Sequence, residues 1–271
     1  MGWFRWRQAD SPLAWEALGR RRGRFLSHLR DCVLHNGIKF NPFNLVGVGE
    51  TEVHKSEVMA KIREVGLVPV LRADSEEEAL EIAYALETGG VTVLEVTMTV
   101  PGAVDAIRRL ANEAGDRILV GAGTVLDPET ARICMLAGAQ FIVSPSLNVK
   151  TIELCRRYSI AMFPGGLTPT EIVTAWEAGA DAVKVFPCSA VGGAKYLKAI
   201  KAPLPQIELI PTGGVSLATA AEFLEAGAIA LGVGGDLVDN KAIRAGKPEV
   251  ITENARKYLE IVAAHRKKIA Q

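Results

Sequence analysis

Four times along this chain a helical pattern ends on glycine and passes at once into a short apolar run. The four are Glu87-Thr88-Gly89-Gly90 before VTVLEVT, Ala137-Gly138-Ala139 before QFIVSP, Ala178-Gly179-Ala180 before DAVKVFP, and Ala226-Gly227-Ala228 before IALGVGG. Gly89, Gly138, Gly179 and Gly227 stand 49, 41 and 48 residues apart, a spacing of two strand-plus-helix units each. A glycine that ends a helix in the left-handed region, followed by a strand apolar on both faces, describes a parallel sheet covered by helices.

The intervening units complete a set of eight expected strands: 67–73, 91–97, 117–124, 141–145, 161–166, 182–187, 208–214 and 229–235. Helical patterns separate them and carry start signals. Ser75 precedes three glutamates, Asp127-Pro128-Glu129 places a capping aspartate before a first-turn proline, and Thr168-Pro169-Thr170-Glu171 repeats the device. Eight βα units in about 210 residues predict an α/β chain folded as a parallel (β/α)8 barrel, with an open doubly wound sheet as the alternative. In a barrel of this kind the chemistry sits at the C-terminal ends of the strands.

Composition divides the chain near residue 55. Residues 1–55 hold nine basic residues against five acidic ones and carry Trp3, Trp6 and Trp15. They lack a sustained helical or alternating pattern outside about residues 13–35. They read as a basic, poorly specified N-terminal extension before a barrel domain over 56–271. Over the whole chain the charges balance, 31 basic against 31 acidic, which argues against a surface built for nucleic acid or for membranes.

No run approaches the ~18 consecutive apolar residues of a membrane span, and the N-terminus lacks the apolar stretch of a signal peptide, so a cytoplasmic protein is expected. Cys32, Cys134, Cys155 and Cys188 are too dispersed for a C-x-x-C pair and fit reduced thiols. His28, His35, His54 and His265 all lie near the ends of the chain, so catalysis or metal binding by imidazoles in mid-fold is not expected.

The chemistry-bearing residues fall on the strands. Lys184 lies among valines in A-V-K-V-F-P, where desolvation disfavours its ammonium form, the condition under which a lysine amine attacks a carbonyl. Alternation along V-L-E-V-T puts Glu95 and Thr97 on one face, so a carboxylate can point inward near that lysine and shuttle protons. A buried Glu95–Lys184 pair that only fixes the core is the competing reading. Arg72 ends strand one with a planar fork suited to a carboxylate. Glycine turns end strands three, seven and eight at 121–124, 212–214 and 232–235, where backbone N–H groups can cradle an anion.

In order along residues 57–261, the segments V-P-V-L-R-A, L-E-V-T-M-T-V-P, V-G-A-G-T-V, F-I-V-S-P, F-P-G-G-L-T-P-T-E, V-K-V-F-P, P-T-G-G-V-S and G-V-G-G resemble one family. This is the family of 2-keto-3-deoxy-6-phosphogluconate and 4-hydroxy-2-oxoglutarate aldolases, Schiff-base lyases on a (β/α)8 barrel that form homotrimers. The resemblance implies reversible retro-aldol cleavage of a 2-keto-4-hydroxy acid to pyruvate and an aldehyde, without cofactor or metal. It makes Lys184 the imine-forming lysine and Glu95 the acid/base. Arg72 and Thr124 would hold the substrate carboxylate, and Pro145 and Phe186 would shape the pyruvate pocket. Thr212, Gly213, Gly214, Gly234 and Gly235 would line the phosphate end.

Two positions depart from the family pattern. Thr99 stands where many members have an arginine after E-V-T-L, which shifts carboxylate binding onto Arg72. Gly235 stands where members usually have a phosphate-binding serine, and Asp236 follows it. A lost hydroxyl and a nearby negative charge weaken phosphate binding by about 1 kcal/mol or more. Two other classes stay open on the residues alone. One is a phosphate-binding barrel isomerase or synthase with Lys184 as an electrostatic clamp; the other is a non-catalytic oligomeric scaffold.

Overall fold

All eight expected strands form, each shorter than the apolar run that encodes it. The computed structural model describes residues 54–270, so the expected extension lies outside the described residues but for His54 and Lys55. Helix α1 (Lys55–Val65) leads into β1 (Leu67–Leu71), α2 (Glu76–Thr88), β2 (Val93–Thr97), α3 (Ala103–Ala114) and β3 (Leu119–Gly123). Then follow α4 (Pro128–Leu136), β4 (Phe141–Val143), α5 (Val149–Arg157), β5 (Ala161–Phe163), α6 (Pro169–Ala178) and β6 (Val183–Val185). The last are α7 (Ala194–Lys201), β7 (Leu209–Pro211), α8 (Ala220–Glu225), β8 (Leu231–Val233), α9 (Asn240–Arg244) and α10 (Glu249–Ile269).

The strands are all parallel and make a six-stranded ladder, β5-β4-β3-β2-β1-β8, and a two-stranded one, β6-β7. Single bridges, Gly165 with Lys184 and Thr212 with Gly232, join the second ladder to the flanks of the first. Five consecutive strands add in one direction and β8 returns beside β1. A doubly wound sheet instead reverses direction part-way, so that alternative is corrected by the strand order. Every residue of the eight strands is buried, as expected for a sheet covered on both faces.

The start signals act as the sequence predicts. Ser75 Oγ accepts from Glu78 N at 3.1 Å, Asp127 Oδ1 from Thr130 N at 2.6 Å, and Thr168 Oγ1 from Glu171 N at 3.3 Å. Each such cap contributes about 1 kcal/mol. Accepting from Thr130 N holds the Asp127 carboxyl below its ordinary value, and accepting from Thr168 N and Leu167 N does the same for the Glu171 carboxyl.

The glycine stops differ in one place. Gly138, Gly179 and Gly227 have φ of 105°, 97° and 96°, left-handed as expected. In the first repeat Gly89 stays right-handed at φ −79°, and Gly90 makes the turn at φ 92°. Gly89 is required by packing: a Cβ there would stand 2.6 Å from Ala255 Cβ and 2.7 Å from the Thr252 carbonyl oxygen on α10.

Among the described residues no helix is long and apolar enough to cross a membrane, and no three His, Cys, Asp or Glu side chains cluster as metal ligands. Cys134, Cys155 and Cys188 are free and buried. Burial pushes their thiols up to about 11, 12 and 11, which removes them as nucleophiles at neutral pH.

Candidate active site

β6 presents Lys184 between Val183 and Val185, both fully buried, and β2 presents Glu95 between Leu94 and Val96, also fully buried. Period-2 alternation therefore turns both charged side chains to the face opposite their apolar neighbours. There they meet. Lys184 Nζ lies 3.2 Å from Glu95 Oε1, with the residues 6% and 1% exposed. β2 and β6 belong to different ladders, so this contact exists only because the sheet curls.

The glycine of the next strand makes room for the pair. A Cβ on Gly123, paired with Thr97 in the β2–β3 register, would stand 2.7 Å from Glu95 Oε1 and 2.8 Å from its Cδ. The carboxylate therefore packs against bare backbone. Two residues on from Glu95, Thr97 Oγ1 donates to the Leu71 carbonyl at 3.0 Å and lies 2.7 Å from Thr99 Oγ1. The Lys184 ammonium also sits 5.7 Å from the centroid of the Phe186 ring, within cation–π range.

Phe186 links this pair to a cavity of about 490 Å³ that the strand ends enclose. Of the expected site residues, Arg72, Phe186, Thr212, Gly213, Gly214, Gly234 and Gly235 line it. Lys184, Glu95, Thr124 and Pro145 are not among its lining residues. Thr124 directly follows Gly123 and has φ 58°, a left-handed conformation that costs a β-branched residue about 1–3 kcal/mol. Pro145 follows Ser144 at the end of β4, and its carbonyl lies 2.2 Å from where a Cβ on Gly165 would be. Both therefore stand beside the strand ends, next to the glycines that let neighbouring groups close in.

Asp236 does not stand free at the cavity wall. Its Oδ2 accepts from Tyr258 OH at 2.5 Å and from Leu217 N at 3.1 Å, tying α10 to the segment after β7. Burial, and then this carboxylate, push the Tyr258 phenol far up, so it remains a donor throughout the working pH range.

The sequence pointed to Arg72 but not to what holds it. Asn240 Nδ2 donates to the Arg72 carbonyl at 2.9 Å, a contact across 168 residues that no local pattern signals. Arg244 Nη2 pairs with Asp74 at 2.6 Å and its Nε with Glu78 at 3.0 Å, so α9 grips the turn that carries Arg72. Gly123 lies inside the V-G-A-G-T-V segment, yet its role against Glu95 is visible only in space.

The family model described as KDPG and KHG aldolase matches residues 58–254. The chain is 40% identical over 195 residues to the KHG/KDPG aldolase of Escherichia coli, covering 72% of this chain and 91% of that one. It is 35% identical over 206 residues to the 2-dehydro-3-deoxy-phosphogluconate aldolase of Haemophilus influenzae, covering 76% and 97%. A solved structure of KDPG aldolase from Legionella pneumophila, with pyruvate captured as a covalent carbinolamine intermediate, superposes with a TM-score of 0.69. That pair is 32% identical and covers 76% of this chain and 98% of the other. The chain belongs to the KDPG and KHG aldolase family and is a carbon–carbon lyase of the Schiff-base class.

Proposed function

We propose that the protein cleaves 2-keto-3-deoxy-6-phosphogluconate or 4-hydroxy-2-oxoglutarate reversibly to pyruvate and glyceraldehyde 3-phosphate or glyoxylate, through an imine on Lys184. The observation that carries this reading is the buried Lys184–Glu95 contact at 3.2 Å beside the strand-end cavity.

Glu95 takes a proton from the Lys184 ammonium along that hydrogen bond and leaves a neutral amine, which attacks the C2 carbonyl of the keto acid. Proton return from Glu95 expels the C2 hydroxyl as water and leaves the protonated imine. The base then removes the C4 hydroxyl proton. The C3–C4 electron pair flows into the imine, and the aldehyde departs. The enamine left behind takes a proton at C3, and water hydrolyses the resulting imine to pyruvate and free Lys184. Arg72 and Thr124 hold the substrate carboxylate, Pro145 and Phe186 shape the pyruvate end, and Thr212, Gly213, Gly214, Gly234 and Gly235 form the distal wall. No cofactor or metal takes part in these steps.

The eight strands close as a (β/α)8 barrel in this reading, supported by the two single bridges between the ladders. The barrel domain runs over 56–271 behind the extension of 1–55, and the protein is cytoplasmic. The chain assembles as a homotrimer, and the exposed apolar side chains Leu126, Ile133, Leu136 and Val149 around α4 and α5 supply a surface for it.

Pyruvate with sodium borohydride tests the imine directly. A pyruvyl adduct is expected by intact-mass spectrometry, with none in Lys184→Ala, whose kcat falls by about 10⁴-fold or more. Lack of an adduct on the wild-type protein would remove the imine and leave Lys184 as a clamp.

A further inference from the structure

Arg72 is held through its main chain rather than its side chain. The side chain is exposed, and its guanidinium makes no hydrogen bond or ion pair with a described residue. A long side chain without polar partners of its own takes its direction from the two peptide planes that flank its Cα, because those planes set φ and ψ. Both planes are pinned by side chains from other elements. Thr97 Oγ1 donates to the Leu71 carbonyl at 3.0 Å, and Asn240 Nδ2 donates to the Arg72 carbonyl at 2.9 Å.

Thr97 is fully buried and closes β2 where β1 also ends. The last backbone pair of the two strands is Leu71 with Val96, so the Thr97 hydroxyl acts where the ladder stops. A threonine hydroxyl has one proton and a carbonyl can only accept, so that proton is committed to Leu71. Thr99 Oγ1, 2.7 Å away, therefore donates to Thr97 Oγ1 and turns the proton toward β1. Glu95 shares the strand face of Thr97, but its Oε1 faces Lys184 Nζ.

We propose that Thr97, oriented by Thr99, and Asn240 are positioning residues for Arg72. They fix the peptide planes before and after it and so aim the guanidinium at the substrate carboxylate. The assignment rests on the aldolase reading above, in which Arg72 holds that carboxylate. Loosening either plane leaves the charge in place but lets the planar fork sample other directions. Carboxylate binding then weakens, whereas imine formation at saturation does not.

Borohydride trapping of the full-length protein over a range of pyruvate concentrations, read by intact mass, separates the two quantities. Thr97→Val, similar in volume but unable to donate, is expected to raise the half-saturating pyruvate concentration about tenfold and to leave the saturating trapping rate within a few-fold. Thr97→Ser is expected to restore the wild-type value. Asn240→Ala, at a half-buried position, is expected to act in the same direction and carries the test if Thr97→Val does not fold. In an Arg72→Ala background neither change should raise the half-saturating concentration further, since the group they aim is gone. An unchanged half-saturating concentration in the folded variants, or a rise that persists in the Arg72→Ala background, would overturn the assignment. So would a fall in the saturating rate alone, which would place the effect of Thr97 on Glu95. No adduct on the wild-type protein would overturn the aldolase reading itself, and the assignment with it.

Discussion

The ends of β3 and β8 carry the same kind of glycine turn, Gly121-Ala122-Gly123 and Gly232-Val233-Gly234-Gly235, for different reasons. At β3 both glycines are pressed by neighbours: a Cβ on Gly121 would stand 2.3 Å from the Phe141 ring, and one on Gly123 would stand 2.7 Å from Glu95 Oε1. At β8 only Gly232 is pressed, by Thr212 Oγ1 at 2.0 Å, while Gly234 and Gly235 face open space. One strand end packs against a buried carboxylate and the other leaves open space. Glycine is therefore not a uniform signal at strand ends, and its meaning is set by what stands opposite the missing side chain.

Breaking the β3 side is expected to cost most. Glu95→Gln keeps the shape but removes the proton acceptor, and kcat should fall by about 10²–10⁴-fold in steady-state assays of pyruvate release. Activity within a few-fold of wild type would mean that the Lys184–Glu95 pair serves only the core.

Gly123→Ala removes no reacting group and sharpens the contrast. The new methyl displaces the Glu95 carboxylate, and a shift of about 1 Å in a catalytic group costs about 100-fold in kcat. Urea unfolding of the same variant separates this positioning effect from loss of the fold.

The smallest effect belongs to β8. Gly235→Ala places a methyl in open space at a backbone conformation alanine can adopt, so stability should change little or rise by about 0.4–1 kcal/mol. A drop of more than about 1 kcal/mol in urea unfolding would show that Gly235 is packed like Gly123, and the comparison between the two turns would fail.

Local regularity made much of this architecture legible. Glycine stops, helix caps at Ser75, Asp127 and Thr168, and doubly buried apolar runs depend on neighbours a few residues away, so they can be read in order. The left-handed turn falls on Gly90, and the glycine at 89 is demanded instead by a neighbour far off in the chain, α10, whose Ala255 and Thr252 leave no room for a Cβ. The same limit applies to the site. Lys184 and Glu95 announced themselves as charges within apolar strands, whereas Asn240 bonds its main-chain partner across 168 residues and gives no local sign.

By itself the sequence determined the eight strands, the helices between them and the two charged residues on inward faces, because periodicity and capping are local. Only the tertiary structure decided that these two charges meet at 3.2 Å, that Gly123 stands against one of them, and that Asp236 is drawn to Tyr258 and Leu217. Each of these depends on how far the sheet curls and on which helix docks where, quantities set by the packing of the whole core rather than by any segment of it.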